Sequence, residues 1–209
     1  RVVLFVDDFL CRGSRESSEL FYSALKSRFD CKDETYLEVD QPIVFTGMRV
    51  SRELSEGRPV TVVDQASEVE SFLEAKELWD VRVVSSPMPN RSVLAEGRQL
   101  ENDNEVSWCK SVIGGLQHFV RTLRWDIAHS VSRLAQDMER PTEGTVRQIE
   151  RLAGYLKGSM EFSLKGLHGV GDDDVRVYSD SDHHGDPKRT CKSQTGVMVT
   201  LNGVPIHWR

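Results

Sequence analysis

Several features that would assign this chain to a simple class are missing from its sequence. No apolar run approaches the roughly 20 residues that a membrane-spanning helix needs, and no signal pattern opens the chain, so we expect a soluble protein. The four cysteines contain no C-x-x-C pair, which argues against a zinc site or a disulfide scaffold and favours a reducing compartment. With 7 prolines, 15 glycines and a hydrophobic fraction of 38%, the composition predicts a folded core rather than disorder.

Positive charge is also scarce, since the formal net charge is -6. That balance is unusual for a protein that binds nucleic acid. The exception is the segment 108–168, where nine Lys and Arg residues stand against six Asp and Glu residues. Because positive charge gathered on one face is enough to hold a phosphate backbone, nucleic acid stays a candidate partner.

The first half of the chain predicts alternating helices and strands. Residues 43–50 predict one strand, in which Gly47 marks a bulge or a close backbone contact, and residues 61–63 predict a second. Ser67 and Glu70 form an S-x-x-E capping box, so a helix should begin there. An earlier helix is predicted by apolar residues at helical spacing: Leu20, Phe21, Leu25 and Phe29.

The second half predicts a helical block followed by strands. Three apolar stripes over residues 107–157 predict three amphipathic helices that form a small bundle, the last of them capped by Thr142. Residues 175–180 alternate apolar and polar side chains, as a half-buried strand should. Asn202-Gly203, between two short apolar runs, predicts a β-hairpin.

Two adjacent acids, Asp7 and Asp8, stand between the apolar runs 3–6 and 9–10. Burying both would be costly unless something neutralises them. A hairpin turn would place them at its tip, where Mg²⁺ could be held by oxygen ligands while keeping waters and phosphates of its own. An exposed Asp-Asp turn without a role is an equally good interpretation of the residue types alone.

A strand that ends in Val-Asp-Asp also opens phospho-receiver domains. In that alternative Asp64, at the end of residues 61–63, would be the phosphorylated acid beside a Mg²⁺ site at Asp7 and Asp8. The chain lacks the regular strand–helix alternation of a doubly wound sheet. The helical block and the terminal hairpin do not fit either, so this alternative ranks well below.

Seven short motifs resemble, in the same order, those of the Pol polyproteins of copia-type LTR retrotransposons. Residues 4–10, LFVDDFL, resemble the Tyr-Val-Asp-Asp box of reverse transcriptases, with Phe5 in place of the usual Tyr. Residues 178–182, 192–196 and 201–203 resemble the opening of the RNase H domain. Five more motifs lie between these two. Residues 45–50 resemble FLGM-R/E-I, residues 85–89 resemble S-T-P-M, and residues 111–116 resemble S-L-V-G-S-L. Two stretches within residues 126–134 resemble parts of P-D-I-A-Y-A-V-S-R-L, and residues 155–158 match Y-L-K-G.

The resemblance implies an α+β fold with three parts. Residues 1–55 would be the C-terminal part of the reverse transcriptase palm, residues 56–168 a helical connection and thumb-like region, and residues 169–209 the N-terminal part of an RNase H-like domain. Both ends of the chain fall within predicted strands, so we expect it to be a fragment. The intact protein would be an RNA-directed DNA polymerase with RNase H activity.

The resemblance also implies roles for three carboxylates. Asp7 and Asp8 match two of the three metal-binding acids of the polymerase, where two Mg²⁺ ions would activate the primer 3′-hydroxyl and hold the triphosphate. Asp180 matches the first carboxylate of RNase H. Since the remaining carboxylates of both sites would lie outside the chain, we expect it to be inactive alone. Nearby acids and histidines are better interpreted as exposed loop residues than as metal ligands: Asp172, Asp173, Asp174, Asp182, His183 and His184.

The resemblance implies that the partner is nucleic acid, either an RNA template or an RNA–DNA hybrid. It also implies deoxynucleoside triphosphates as substrates and no association with a membrane. The implied location is intracellular, in a cytoplasmic virus-like particle with nuclear passage. An alternative is a decayed or repurposed element product that only binds nucleic acid. Six basic residues of the helical block are candidates for contacts with the template–primer backbone, and the alternative is that they form a solvated helix face. They are Arg121, Arg124, Arg133, Arg147, Arg151 and Lys157.

Overall fold

The computed structural model describes residues 1–89, 97–167, 174–181 and 193–209. Over these ranges the chain contains five α-helices and nine strands, and every strand pair is antiparallel. This mixed content agrees with the α+β expectation, while the palm and RNase H descriptions stay predictions. The elements are β1 (Val2–Phe5), β2 (Asp8–Cys11), α1 (Arg15–Lys26), β3 (Ile43–Phe45), β4 (Met48–Ser55), β5 (Arg58–Asp64), α2 (Ala66–Ala75), α3 (Asp103–Thr122), α4 (Ala128–Gln136), α5 (Glu143–Gly158), β6 (Ser163–Leu167), β7 (Val175–Ser181), β8 (Thr195–Leu201) and β9 (Val204–Trp208).

The N-terminal unit is the β1–β2 hairpin with α1 against it. The side chain of Ser14 caps α1 by accepting a hydrogen bond from the Ser17 amide at 3.2 Å. Phe9 of β2 meets Phe21 of α1 edge to face, with ring centroids 6.0 Å apart. The predicted helix is confirmed, although it ends before Phe29 and none of its residues is fully buried.

A central sheet in the order β3-β4-β5-β6 joins distant parts of the chain. The prediction of one strand over residues 43–50 is wrong, because Thr46 and Gly47 adopt φ values of 52° and 78° and turn the chain into the β3–β4 hairpin. Glu56 and Gly57 make a second turn of this kind between β4 and β5. That turn lies at the predicted boundary between palm and connection, and β4 pairs with β5 across it, so the two predicted regions share one sheet.

Helix α2 begins without the predicted capping box. Its first residue is Ala66, whose amide donates to Oδ1 of Asp64 at 3.2 Å, and the N-cap residue Gln65 makes no side-chain capping bond. The prediction of an S-x-x-E cap at Ser67 is therefore wrong. The physical reason is that Asp64, at the end of β5, already satisfies one of the amides that a helix start leaves unpaired.

The predicted three-helix block is confirmed as α3, α4 and α5, with a short 3-10 helix at Trp125–Ile127. Thr142 caps α5 in a reciprocal box with Thr145. Helix α2 joins the bundle, and none of the described helices is both long and apolar enough to cross a membrane. The buried core of the bundle is formed by Val69, Leu73, Leu78, Cys109, Val112, Ile113, Leu116, Phe119, Ile127, Val131, Leu134, Ile149, Leu152, Ala153 and Leu156.

Strands β7, β8 and β9 form a separate three-stranded sheet. The predicted hairpin is confirmed, with Asn202 and Gly203 at φ values of 52° and 81° in its turn. The strand predicted at residues 175–180 is also present as β7. Its predicted half-burial is wrong: β7 is one of the two edge strands of this sheet, and all seven of its residues are exposed in the described part of the chain.

Candidate catalytic carboxylates and nucleic-acid interface

Asp7 and Asp8 lie at the tip of the β1–β2 hairpin, as predicted. Phe5 pairs with Asp8, so Val6 and Asp7 are the two turn residues and Asp8 opens β2. Val6 has a φ of 55°, a left-handed conformation that is rare for a β-branched side chain and costs about 1–3 kcal/mol. Both acids are exposed, which explains how they can be adjacent in the free chain.

The donor set at this tip suits a hard divalent cation, because it consists of accessible carboxylate oxygens. It is only part of a site: nowhere in the described ranges do three His, Cys, Asp or Glu side chains come together to hold a metal ion. The pair therefore fits a Mg²⁺ ion whose other ligands are water, phosphate oxygens or a further carboxylate.

Asp180 lies in β7 of the three-stranded sheet, whereas Asp7 and Asp8 lie at the β1–β2 hairpin, so the candidate carboxylates belong to two different sheets. Its Oδ1 accepts a hydrogen bond from the Ser181 amide at 2.9 Å. Its pairing partner in β8 is Gly196, which places no side chain across from the carboxylate. Asp174 is exposed and bound to Arg176 at 2.8 Å, whereas Asp172, Asp173, Asp182, His183 and His184 lie outside the described residues.

Arg124 is the centre of a buried polar network. Its guanidinium donates to both carboxylate oxygens of Asp126, at 3.0 and 2.8 Å, and to Oγ of Ser159 at 2.6 Å. The Tyr155 hydroxyl donates to the same carboxylate at 2.9 Å. Burial and the neighbouring Asp126 raise the pKa of Tyr155. Since Arg124 is only 1% exposed, it has no surface to offer a phosphate, which corrects the prediction that it contacts nucleic acid.

Arg133 is also buried, at 7% exposure, with Nη1 donating to Gln136 at 3.3 Å. The same correction applies to it, because a nucleic-acid backbone cannot reach a guanidinium enclosed by the bundle. Two of the six predicted residues, Arg121 and Arg147, are exposed on the helices and remain candidates for phosphate contacts.

Arg151 and Lys157 are half-buried and hold the segment 79–89 against α5. Arg151 Nη2 donates to Oγ of Ser86 at 2.7 Å. Lys157 donates to the carbonyl of Trp79 and lies over its ring, 4.9 Å from the centroid. Both cations are therefore engaged in positioning this segment, which reduces what they can contribute to a nucleic-acid contact.

Three glycines of the bundle helices mark close packing, a role that the sequence pattern alone did not predict. A Cβ on Gly154 would come within 2.2 Å of the Arg82 carbonyl, and one on Gly158 within 2.6 Å of the Val83 side chain. A Cβ on Gly115 would meet the ring of Phe72 at 2.3 Å. The sequence does carry a signal for this packing, namely glycines inside helical patterns. Glycine lowers helix stability, so it is expected there mainly where close packing requires it.

The phospho-receiver alternative is wrong. Such a domain needs a parallel, doubly wound sheet, whereas every strand pair in the described ranges is antiparallel. Asp64 lies in the central sheet and Asp7 in the separate β1–β2 hairpin. The Asp64 carboxylate is engaged in starting α2.

Comparison with known proteins identifies relatives that cover the whole chain. The retrovirus-related Pol polyprotein from transposon RE1 of Arabidopsis thaliana is 28% identical over 223 residues, spanning 99% of this chain and 13% of the polyprotein. That from transposon TNT 1-94 of Nicotiana tabacum is 27% identical over 215 residues, spanning 100% of this chain and 15% of the polyprotein. An uncharacterized mitochondrial protein of Arabidopsis thaliana is 26% identical over 208 residues, which are 99% of this chain and 81% of that protein.

No family model and no solved structure matches the chain. The two polyproteins are far longer than the chain, which spans only a small section of each. The resemblance predicted from the seven motifs is nevertheless confirmed from one end of the chain to the other: this protein is a relative of the Pol polyproteins of plant retrotransposons.

Proposed function

We propose that the chain is a section of a retroelement RNA-directed DNA polymerase that also carries RNase H. The observation that carries the proposal is the exposed Asp7–Asp8 pair at the tip of a two-residue hairpin turn. The similarity of the full chain to Pol polyproteins supports the assignment. The proposed fold is the end of a polymerase palm, a helical connection and the first strands of an RNase H-like domain.

The proposed polymerase role of the hairpin follows from its geometry. Pairing between Phe5 and Asp8 places the second acid at the start of β2, and Asp7 precedes it in the turn. The two acids would hold Mg²⁺, which when bound polarises phosphoryl oxygens and lowers the pKa of a coordinated hydroxyl. The chain's own contribution is to present two anionic ligands, side by side and open to solvent, to a nucleotide and a primer end.

Asp180 would serve the second activity, cleavage of the RNA strand of a hybrid. It is exposed at the edge of its sheet, opposite a glycine, so a nucleic-acid backbone can approach it without displacing a side chain. One carboxylate is not sufficient for a two-metal site. The 209-residue chain is therefore expected to show neither primer extension nor RNA cleavage by itself.

The proposal is tested in a longer Pol chain that contains these 209 residues. Asp7→Asn or Asp8→Asn should abolish primer extension, and Asp180→Asn should abolish RNA cleavage while leaving extension intact. Asp33→Asn, which alters an exposed acid paired with Lys26 at 3.1 Å, is the matched control and should change neither activity. Extension that survives both Asp7→Asn and Asp8→Asn would contradict the polymerase assignment.

A second candidate is a product that binds nucleic acid without catalysis. The observation that favours it is the mitochondrial relative, a separate protein of which this chain spans 81%. The two candidates differ in what the acids do. If the chain only binds, its affinity for an RNA–DNA hybrid should fall with salt and Asp7→Asn with Asp8→Asn should leave it unchanged, with or without Mg²⁺.

A further inference from the structure

The segment 79–89 lies along α5, although it contains neither helix nor strand. The Gln148 side chain donates to the Pro87 carbonyl at 2.8 Å, and the Val84 amide donates to the Gly154 carbonyl at 3.4 Å. Gly154 permits this close approach because it has no side chain. The segment is therefore an irregular stretch of backbone that α5 holds on the surface of the bundle.

Ser86-Pro87 in this segment is the one place in the 209-residue sequence where serine or threonine directly precedes proline. The six other prolines follow Gln, Arg, Met, Asp or Val. A large class of protein kinases selects substrates by a proline directly after the residue that it phosphorylates. Proline also keeps the preceding residue extended, which is the form in which a kinase cleft takes its substrate. The sequence thus holds a single Ser-Pro site for an enzyme of this class.

The Ser86 hydroxyl is half-buried and lies against a guanidinium. It accepts a hydrogen bond from Nη2 of Arg151 at 2.7 Å and donates to the Met88 carbonyl at 3.4 Å, which is long for an O–H donor. The neighbouring Ser85 is exposed. Release of the Ser86 hydroxyl to a kinase therefore requires the opening of an irregular segment, and no helix or strand has to unfold.

Arg151 has unused capacity to bind an anion. Its Nε is buried without a hydrogen-bond partner among the described residues, and none of the carboxylates in those ranges forms an ion pair with it. The positions one turn away on α5 are Arg147, Gln148, Gly154 and Tyr155, so the helix offers no acid there. This guanidinium is suited to the forked, charge-assisted contact that phosphate oxygens make.

We propose that Ser86 is the phosphorylation site of a proline-directed kinase and that Arg151 binds the phosphate, which then holds the segment 79–89 on α5. In the transfer, Oγ of Ser86 bonds to the γ-phosphorus of ATP while the bond to the β–γ bridging oxygen breaks. ADP leaves, and the hydroxyl proton passes to the catalytic base of the kinase. The product carries about -1.5 to -2 charges at neutral pH. The inference goes beyond the proposed function and does not depend on it.

The first test asks whether the site is modified in the folded protein. The 209-residue chain is incubated with a mitogen-activated protein kinase, ATP and Mg²⁺, and the phosphate is mapped by mass spectrometry. A single phosphate on Ser86 is expected. Ser86→Ala should abolish it, whereas Ser85→Ala, which alters an exposed serine that no proline follows, should not.

A synthetic peptide of residues 79–91 is the companion to this test, because it presents the same sequence outside the fold. If the kinase modifies the peptide but not the folded chain, the segment is closed to it and the inference is wrong. If it modifies neither, the Ser-Pro sequence is not a substrate and the inference is equally wrong.

The second test asks whether Arg151 binds the phosphate. Phosphorylation should slow hydrogen exchange of the amides of residues 83–86 roughly 10-fold, the effect of one charge-assisted hydrogen bond. In Arg151→Gln this slowing should disappear although Ser86 is still modified, and Arg151→Lys, which keeps the charge without the fork, should retain part of it. Arg28→Gln makes the same change at an exposed arginine just after α1 and should keep the full effect.

Each variant is compared with its own unmodified form, so the loss of the Arg151–Ser86 hydrogen bond in Arg151→Gln does not enter the result. Slowing of equal size in wild type and in Arg151→Gln would mean that the phosphate binds elsewhere, which overturns the role of Arg151. Faster or unchanged exchange after phosphorylation would show that the phosphate does not hold the segment, which also overturns the inference. Neither result bears on primer extension or RNA cleavage, so the proposed function stands or fails separately.

Discussion

At the scale of single residues, the buried pair of Arg124 and Asp126 matters most for stability. Asp126→Ala leaves a guanidinium that is 1% exposed without its carboxylate. An uncompensated buried charge of this kind costs about 3–5 kcal/mol. We therefore expect Asp126→Ala to lower the free energy of unfolding by that amount, measured by urea denaturation at neutral pH.

The control for this prediction is an ion pair of the same types on the surface. Arg15 and Glu19 are 3.3 Å apart with both side chains more than half exposed, and such a pair contributes at most about 1 kcal/mol. Glu19→Ala should therefore lower the free energy of unfolding only slightly. Similar losses in the two variants would show that the Arg124 network does not stabilise the bundle.

Tyr155 makes the stability of the same network depend on pH. Burial first, and the carboxylate of Asp126 second, raise the pKa of its hydroxyl above the ordinary value of 10.0. A raised folded-state pKa means that the unfolded chain releases this proton first, so the stabilisation is complete below about pH 10 and is lost as the pH rises through the folded pKa. The free energy of unfolding should thus fall as the pH rises above about 10.

Tyr155→Phe isolates this contribution. It removes the titrating group and one hydrogen bond, which costs about 1 kcal/mol at neutral pH. The variant should lose less stability than wild type as the pH rises above about 10, because the remaining alkaline loss comes from other groups. An identical pH dependence in both proteins would exclude Tyr155 as its source.

At the scale of elements, replacing two helical glycines by alanine is expected to change stability in opposite directions. A methyl group at Gly154 of α5 would collide with the Arg82 carbonyl at 2.2 Å, whereas a methyl group at Gly114 of α3 would meet none of the described atoms within 4 Å. Gly154→Ala should destabilise the protein by about 1–3 kcal/mol. Gly114→Ala should stabilise it by about 0.5–1 kcal/mol through helix propensity. Thermal unfolding monitored by circular dichroism distinguishes a fall from a rise in Tm.

The elements that the sequence predicted well are those whose signal is local. The bundle helices follow from apolar spacing, and the last hairpin follows from Asn202-Gly203, whose residues tolerate positive φ. The β3–β4 turn was missed because Thr46 carries no such preference. The α2 start was misassigned because Asp64 accepts from the Ala66 amide, so the helix begins before Ser67. The burial of Arg124 could not be predicted from local sequence patterns, because its partner Ser159 is 35 positions away in the chain. Spacing places the candidate acids at a turn and on a strand, and the pairing registers add that the turn and the strand belong to two different sheets.

At the scale of the whole molecule, the Trp208 side chain links the bundle to the β7–β9 sheet. Trp208 Nε1 donates to the Val120 carbonyl of α3 across 88 positions of sequence. The bundle has its own buried core, while every residue of β7 is exposed. The sheet should therefore open independently of the bundle, as parts of a protein with few buried contacts do.

Replacing Trp208 tests this independence. Trp208→Ala removes both the hydrogen bond and the ring, so amides of β8 and β9 should exchange with solvent at least several-fold faster while those of α3 and α5 keep their protection. Trp208→Phe keeps a ring without the N–H and should give an intermediate increase, because one hydrogen bond contributes about 1 kcal/mol. Hydrogen exchange followed by mass spectrometry measures the exchange rates of amides in the bundle and in the sheet in one experiment. Equal acceleration in the bundle and in the sheet would mean that the two unfold as one cooperative unit, and Trp208 would then be part of a common core rather than a link between two bodies.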